Sequence, residues 1–356
     1  MSLTDQSTRI REGEELDAAA IDPYLKAHIP GLSGTPRISQ FPGGASNLTY
    51  LLEYPEKEFV LRRPPFGKKA KSAHDMGREF RILNQLNAGF PYCPKAYVHC
   101  TDESVIGAEF YVMERVKGVI LRADVPAELN LDEASTRKLC RSFIDKLVEL
   151  HNVDYEACGL GDLGKPEGYV QRQIGGWSDR YEKAMTPDAP TWEPVKAWLK
   201  DKMPADHHKP GIVHNDYRFD NVILDPNDPL KIIGVLDWEL TTIGDPLMDL
   251  GNTLAYWIEA KDPAPVQLMR RQPSHLPGML TRREFADYYA ERAGLPPIEN
   301  LDFYYTYGLF RLAGIVQQIY YRYYHGQTQD KRFAQFIQMN KLLEQMSLQV
   351  INQSRL

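Results

Sequence analysis

The segment from Gly211 to Pro226, GIVHNDYRFDNVILDP, constrains the fold of this chain more than any other. Two β-type runs, GIV and NVIL, enclose a loop with a histidine, two aspartates, an arginine and an asparagine. A turn at DPNDPL then sends the chain back through KIIGVLDW, so that Asp237 ends the returning strand. This hairpin predicts that Asp216, Asn221 and Asp237 meet at one edge, where two carboxylates and an amide oxygen suit Mg²⁺.

The spacing in this segment is H-x-D-x-x-x-x-N, and a further aspartate follows sixteen residues after the asparagine. That order matches the catalytic loop and metal aspartate of the protein-kinase-like phosphotransferases. In that scheme Asp216 orients or deprotonates the attacking hydroxyl, and Asn221 and Asp237 hold Mg²⁺ on the phosphates. His214 is expected to hold the loop, and Arg218 is expected near the transferred phosphate.

Two other interpretations of this segment stay open. In the first, the polar side chains form local Asx-turn hydrogen bonds in a surface loop. In the second, His207, His208 and His214 bind a transition metal. The second is disfavoured because a Pro-Gly break follows His208 and the chain has no helical HxxxH pair.

The N-terminal part predicts a β-rich lobe in the order β-β-β-α-β-β, preceded by a helix within residues 13–29. A kinase-type site also needs a flexible loop between the first two strands, where backbone N–H groups cover phosphates. The residues predicted for this loop are Gly43, Gly44, Ser46 and Asn47. A glycine-rich hairpin turn is the alternative interpretation.

The third predicted strand, EFVLRR, supplies the cation that such a site requires. Alternation places Val60 and Arg62 on one face, and a small apolar residue two positions before the cation suits an adenine pocket. We therefore predict that Arg62 contacts the phosphates and that Glu79, on the following helix, holds it. The fifth strand runs into a hinge, and the adenine contacts predicted there are Met113, Glu114 and Val116.

After Gly118 the pattern becomes helical. A long helix is predicted from Asp132 to His151 and a tyrosine-rich helix near 303–325, whereas 161–210 gives no clear assignment. The predicted fold class is α+β, a protein-kinase-like bilobal fold. A small N-lobe at 1–115 would hold a five-stranded antiparallel sheet and one main helix, and a larger, mostly helical C-lobe would follow at 116–356.

Composition excludes several classes of protein. A net charge of -6 argues against a nucleic-acid binder. The four cysteines form no CxxC pair, which indicates neither a zinc site nor a disulfide framework. No apolar run approaches the roughly 20 residues that span a bilayer, and the N-terminus lacks an apolar signal. We expect a cytoplasmic protein with no membrane or nucleic-acid partner.

The chain resembles the aminoglycoside phosphotransferase family of the kinase-like fold, in particular the subgroup also found fused to acyl-CoA dehydrogenases in animals. The motifs that carry the resemblance lie within about 35–330: GGASNLTYLL, FVLRRPP, REFRIL, VHNDYRFDNVILD and GVLDWELTTIGDPLMDLG. The resemblance implies ATP-dependent phosphorylation of a small-molecule hydroxyl, with Asp249 bracing the loop that holds Asp216. Arg62 departs from the lysine of protein kinases, and the glycine loop lacks a full GxGxxG pattern.

The acceptor region predicted from the resemblance is basic. Residues 251–356 contain 12 Lys and Arg against 9 Asp and Glu, although the whole chain is acidic. We therefore predict an anionic or CoA-linked acceptor, with Arg311 and Arg322 as contacts. The alternatives are an aminoglycoside- or choline-type kinase and a non-catalytic, pseudokinase-like nucleotide-binding module; a protein kinase is disfavoured because no activation segment follows Asp237.

Overall fold

A computed structural model describes residues 4–42, 47–66, 75–204 and 209–356. The strands in these ranges are β1 (Arg37–Gln40), β2 (Leu48–Glu53), β3 (Glu58–Arg63), β4 (Ala96–Cys100), β5 (Phe110–Glu114), β6 (Gly211–Val213), β7 (Val222–Leu224), β8 (Ile232–Val235) and β9 (Thr242–Gly244). The α-helices there are α1 (Ala18–His28), α2 (Met76–Leu86), α3 (Glu133–His151), α4 (Tyr169–Lys183), α5 (Glu193–Asp201), α6 (Pro246–Ala255), α7 (Ala264–Gln267), α8 (Arg282–Ala293), α9 (Leu301–Tyr324) and α10 (Phe336–Gln353).

The chain divides into two compact units, each assembled from separate stretches of sequence. Unit 1 comprises Met1–Ile120, Asp154–Leu160 and Asn221–Thr241. Unit 2 comprises Leu121–Val153, Gly161–Asp220 and Thr242–Leu356. The continuous division at residues 115 and 116 stays a prediction.

Unit 1 contains an antiparallel sheet in the order β1-β2-β3-β5-β4. Because side chains alternate between the two faces of a strand, one face carries apolar residues and packs against α1. The buried residues where this face meets α1 include Ile21 and Leu25 of the helix and Tyr50, Leu52, Phe59, Leu61 and Val112 of the sheet. Val60 and Arg62 occupy the alternate positions of β3, on the other face.

Helix α2 begins at Met76 because the carboxylate of Asp75 accepts a hydrogen bond from the backbone N–H of Arg78, at 2.8 Å. The helix buries Ile82, Leu83 and Leu86 along one stripe, and Glu79 is buried in its first turn.

The predicted hairpin after the polar segment is present in unit 1. Strands β7 and β8 pair antiparallel, with Val222 opposite Val235. The N–H of Val235 donates to the carbonyl of Tyr92 at 2.7 Å, and Val119 and Leu224 exchange two backbone hydrogen bonds. These contacts join the hairpin to the N-terminal part of unit 1.

Unit 2 is organised around α9, against which α4, α6 and α10 pack. Two glycines allow α6 and α9 to approach backbone to backbone. A Cβ at Gly251 would lie 2.1 Å from the carbonyl oxygen of Tyr304, and one at Gly308 would lie 2.1 Å from the carbonyl oxygen of Gly251. No side chain fits at either position without moving a helix.

A buried asparagine joins α10 to the rest of unit 2. The Asn340 side chain accepts from the indole N–H of Trp192 at 2.8 Å and donates to Tyr181 Oη at 3.0 Å and Gln317 Oε1 at 2.7 Å. We refer to these four residues as the asparagine network. It satisfies polar groups in an otherwise apolar interior, where an unpaired group is costly.

The stretch 161–210, left unassigned from the sequence, contains α4 and α5. Gly175 and Gly176 lie inside α4 and weaken its intrinsic helix preference by about 1 kcal/mol each. Packing of α4 against α9 offsets this loss. Among the residues described, no helix has the length and apolar content needed to cross a membrane.

Candidate active site

The polar loop, residues 214–220 of unit 2, is held by one buried carboxylate. Asp249, on α6, is fully buried. Its Oδ2 accepts from the backbone N–H of His214 at 2.7 Å, and its Oδ1 accepts from that of Asn215 at 2.8 Å. The resemblance predicts a bracing role for Asp249, and these two hydrogen bonds are the contacts on which that prediction depends.

A histidine on α3 completes the support of Asp249. His151 Nε2 lies 3.1 Å from Asp249 Oδ2, and its Nδ1 lies 2.7 Å from Tyr289 Oη. Burial raises the pKa of Asp249, but the hydrogen bond and charge of His151 outweigh burial, so that the pKa lies below its ordinary value. Asp249 is therefore ionised under ordinary conditions.

Asn215 holds a left-handed backbone conformation directly before Asp216. Its φ is 64°, which is unfavourable for most side chains but tolerated by asparagine. Arg311 Nη2 donates to the backbone carbonyl of Asn215 at 2.7 Å, and Asn252 Nδ2 donates to Asn215 Oδ1 at 3.1 Å. Together with Asp249, these contacts fix the peptide that presents Asp216.

Arg218 links the two aspartates of the polar loop. Its Nη2 lies 3.1 Å from Asp216 Oδ2, and its Nη1 lies 3.4 Å from Asp220 Oδ2. The guanidinium lies over the Tyr256 ring, 4.6 Å from the centroid. Burial opposes the charge of Arg218, but Asp216, Tyr256 and Asp220 outweigh burial and raise the pKa of Arg218. Burial also raises the pKa of Asp220.

In unit 1, Arg62 is surrounded by three carboxylates. Arg62 Nη1 lies 2.5 Å from Glu79 Oε1 and 3.4 Å from Asp237 Oδ1, and Nη2 lies 3.7 Å from Glu239 Oε2. Arg62 is 8% exposed and Glu79 is 2% exposed. Burial works against the Arg62 charge, but these carboxylates hold its pKa above the ordinary value, whereas burial raises the pKa of Glu79.

The oxygens around Arg62 fit the ligand chemistry of Mg²⁺. Three carboxylates face one guanidinium, so the cluster has an excess of negative charge that a cation would offset. The Asp237 side chain is 35% exposed, and its φ is 68°. The carbonyl of Asn221 accepts from the N–H of Leu236, which places Asn221 across the hairpin from the residue before Asp237.

The described residues contain no group of three or more His, Cys, Asp and Glu side chains arranged to hold a metal by themselves. This is compatible with Mg²⁺, which is commonly bound by one or two protein oxygens together with substrate phosphates and water. Asn221 and Asp237 supply oxygens of that kind.

Three contacts in unit 1 were missed from the sequence. Arg78 donates to the backbone carbonyls of Glu239 and Thr241, at 3.1 Å for Glu239, and so fixes the segment after Asp237. Asn47 Nδ2 donates to Glu239 Oε2 at 3.1 Å. The sequence offers only one indication of these contacts, which is closeness to predicted site residues. Arg78 directly precedes Glu79, and Glu239 follows Asp237 by two residues.

The predicted nucleotide contacts are only partly described. Val60 and Met113 are paired across β3 and β5, and both are buried. Glu114 and Val116 are half-buried at the end of β5 and beyond it. The predicted loop residues Gly43, Gly44 and Ser46 lie outside the described residues, as do His207 and His208.

The two arginines predicted to contact the acceptor lie in different surroundings. Arg311 is buried and bonded to Asn215, whereas Arg322 is exposed near the end of α9. A third arginine of this region, Arg282 on α8, pairs with Asp262 and Glu259. The sequence alone did not separate these environments.

Comparisons with known proteins give this geometry a context. A model of the phosphotransferase enzyme family matches residues 37–285. The chain is 32% identical over 336 residues to acyl-CoA dehydrogenase family member 11 of Rattus norvegicus, covering 92% of this chain and 42% of that protein. The curated relatives it matches are thus more than twice as long as the aligned part.

Solved structures extend the comparison. One, from Ralstonia eutropha JMP134 and described as a candidate aminoglycoside phosphotransferase, is 29% identical with a TM-score of 0.82, covering 96% of this chain and 100% of that chain. The streptomycin-ATP-APH(2")-IIa ternary complex is 16% identical with a TM-score of 0.56, covering 94% and 98%. At that identity the second likeness concerns the fold alone.

Proposed function

The chain belongs to the phosphotransferase enzyme family and has the protein-kinase-like fold, and from this premise we propose that it transfers the γ-phosphate of ATP to a hydroxyl of a small anionic or CoA-linked metabolite. One observation carries the proposal. Asp216 follows a left-handed residue that is held by Asp249 and Arg311, and Arg218 lies beside its carboxylate. A fixed carboxylate next to a fixed cation suits deprotonation of a hydroxyl that attacks a phosphate.

In the proposed reaction Asp216 accepts the proton of the acceptor hydroxyl as the oxygen forms a bond to the γ-phosphorus. The bond between the γ-phosphorus and the β–γ bridging oxygen breaks, and ADP leaves with that electron pair. Arg218, held by two carboxylates, offsets negative charge near the transferred group. Most of the acceleration would come from positioning, because phosphoryl transfer needs little covalent help from the protein.

On the donor side, Arg62 is proposed to contact the ATP phosphates, with Glu79 keeping its guanidinium in place. Arginine presents a planar fork of donors, which suits two phosphate oxygens at once. Asn221 and Asp237 would hold Mg²⁺, whose charge would neutralise the phosphates when bound. ATP as donor is also supported by the fold neighbour solved with ATP.

The acceptor class is argued from charge. Residues 251–356 carry 12 Lys and Arg against 9 Asp and Glu, whereas a polycationic aminoglycoside requires an acidic pocket. The CoA-linked option draws on the names of the relatives, which are acyl-CoA dehydrogenase family members. Because this chain spans less than half of those proteins, their activity carries over only as a proposal.

The test is Mg²⁺-dependent ADP formation from ATP with a panel of hydroxylated metabolites. We expect turnover with at least one anionic or CoA-linked acceptor, and its loss in Asp216→Asn. Asp287→Asn, an exposed acid on α8, is the matched control and should retain turnover. If ATP raises the melting temperature but no acceptor is phosphorylated, the chain is a nucleotide-binding module and the proposal is wrong; rapid turnover of kanamycin-class compounds would refute the anionic acceptor.

A further inference from the structure

Two arginines lie near the ring of Trp177 in unit 2. The guanidinium carbon of Arg180 lies 4.9 Å from the centroid of the Trp177 ring, and the guanidinium carbon of Arg311 lies 5.3 Å from the same centroid. Gly314, one helical turn after Arg311, makes room for the indole, because a Cβ there would lie 2.8 Å from Trp177 Cε3. We call Arg180, Trp177 and Arg311 the arginine–tryptophan stack.

Among the described residues, no carboxylate lies within ion-pair distance of either arginine of this stack. Arg311 is 3% exposed, and its guanidinium hydrogen bond goes to a neutral carbonyl, that of Asn215. A buried guanidinium is usually paired with a carboxylate, since burying a lone charge is costly.

The neighbouring buried carboxylate does not supply that pairing. Asp249 is engaged by His151 and by the backbone N–H groups of His214 and Asn215. Arg311 therefore retains guanidinium N–H groups and a charge that an anion can use. Arginine is suited to this task because its fork can bind a carboxylate or phosphate through two hydrogen bonds.

The stack is close to the reacting end of the polar loop. Arg311 donates to the residue directly before Asp216. Tyr256, which lies under the Arg218 guanidinium, is also influenced by Arg311: burial raises its pKa, and the charges of Arg218 and Arg311 oppose that rise. Trp177 and Tyr256 are half-buried, and Arg180 is exposed, so solvent reaches this region.

We propose that the arginine–tryptophan stack binds the acid group, a carboxylate or a phosphate, of a hydroxylated acceptor whose hydroxyl is presented to Asp216. This rests on the proposed function and specifies its substrate class. Arg180 attracts the anion at the surface, Arg311 binds it next to the polar loop, and the indole keeps both guanidinium groups in position. A cationic acceptor is rejected by repulsion from the same two arginines.

Direct binding is measured first, in the absence of ATP. The probes are 3-hydroxybutyrate for a carboxylate, glycerol 3-phosphate for a phosphate, and the neutral amide and the amine of the same skeleton as 3-hydroxybutyrate. Affinity is read by calorimetry and by tryptophan fluorescence, with Trp177→Phe identifying the reporting ring. We expect one anion to bind about tenfold more tightly than the amide and amine, as for one gained charge-assisted hydrogen bond.

Variants then locate the site. Arg311→Met and Arg180→Met are each expected to weaken anion binding by about tenfold, while Arg283→Met, an exposed arginine on α8, leaves it unchanged. Arg180→Met keeps the test valid if Arg311→Met fails to fold, because Arg180 is exposed. Gly314→Ala should displace the indole and weaken binding without removing a charge.

Two outcomes overturn the inference: equal binding of the anions and the amine, or unchanged anion affinity in both arginine variants. If ADP formation still depends on Asp216 in either case, the proposed function stands and the stack alone is refuted. If anions bind as expected but no acceptor is phosphorylated, the stack binds anions without serving a transfer reaction, and both its assigned role and the proposed function fail.

Discussion

Asp249→Asn tests whether one buried carboxylate holds the polar loop. In the native protein Oδ1 accepts from Asn215 N–H, and Oδ2 accepts from His214 N–H and lies 3.1 Å from His151 Nε2. Asparagine keeps one oxygen and replaces the other by an NH₂ group, which cannot accept from either donor. One of the two backbone hydrogen bonds is therefore lost, and the other is made to a neutral amide oxygen instead of a charged carboxylate.

The lost hydrogen bond to a charged acceptor is worth about 1.5–3 kcal/mol and the weakened one about 1 kcal/mol, so the free energy of unfolding should fall by about 2–4 kcal/mol. For a unit of about 200 residues, the melting temperature should fall by roughly 10 °C. Scanning calorimetry at neutral pH measures both quantities. Asp287→Asn removes an exposed acid and an exposed ion pair, and it should cost less than about 1 kcal/mol.

The same substitution predicts a pH dependence. The folded-state pKa of Asp249 is below its ordinary value. The contribution of Asp249 to the free energy of unfolding is therefore fully present when the pH is above the ordinary value, and it is lost as the pH falls through the folded-state pKa. The stability difference between wild type and variant should be constant from about pH 8 to about pH 5, and shrink only below the ordinary value of 3.8. A loss no larger than that of Asp287→Asn, or a difference that vanishes near neutral pH, would refute the bracing role.

Three further substitutions test other parts of the molecule. Asn340→Leu removes the centre of the asparagine network and should lower the free energy of unfolding, measured by chemical denaturation, by about 2–4 kcal/mol. The control Gln338→Leu, at an exposed position, should lower it by less than about 0.5 kcal/mol. Equal losses in the two variants would contradict a stabilising role of the network. Gly251→Ala places a Cβ 2.1 Å from a carbonyl oxygen and should lower the free energy of unfolding by about 3 kcal/mol. Gly175→Ala, with nothing within 4 Å of the new Cβ, should raise it by about 0.5–1 kcal/mol. If both variants are more stable than the wild type, α6 and α9 separate easily. Arg62→Lys keeps the charge but not the fork and should raise the KM for ATP about tenfold in initial-rate assays; an unchanged KM would contradict the phosphate contact.

The prediction of the family, which rested on the resemblance of its motifs, and that of the α+β, protein-kinase-like fold are confirmed. The turn between β7 and β8 is readable from its Pro, Asn and Asp residues, so the approach of Asn221 to the end of β8 follows from the chain itself. Alternation along β3 likewise places Arg62 on one face, and Glu79 follows on the next helix. These features depend on residues close in sequence or on a simple repeat.

Features that depend on distant contacts could not be predicted in this way. The sequence predicts Arg311 as an acceptor contact, but only the folded chain brings it to Asn215, 96 residues earlier. Trp177 gives no signal of its neighbours, since the space for its ring is provided by Gly314 on another helix. Periodicity identifies the buried stripe of a helix but not the element that packs against it. The sequence therefore could not predict that Arg180 and Arg311 lie near the same indole ring.

The discontinuous make-up of unit 1 has a consequence for biosynthesis. Its sheet lies within the first 120 residues, but its hairpin, Asn221–Thr241, is translated about 100 residues later. At about 5–20 residues per second, the ribosome needs roughly 5–20 s to reach it. Until then, Val119 lacks the two backbone hydrogen bonds that it exchanges with Leu224 in the finished protein. Unit 1 is therefore completed only as the stretch carrying Asn221 and Asp237 leaves the ribosome, and a fragment that stops at Ile120 would be left with the same unpaired backbone groups.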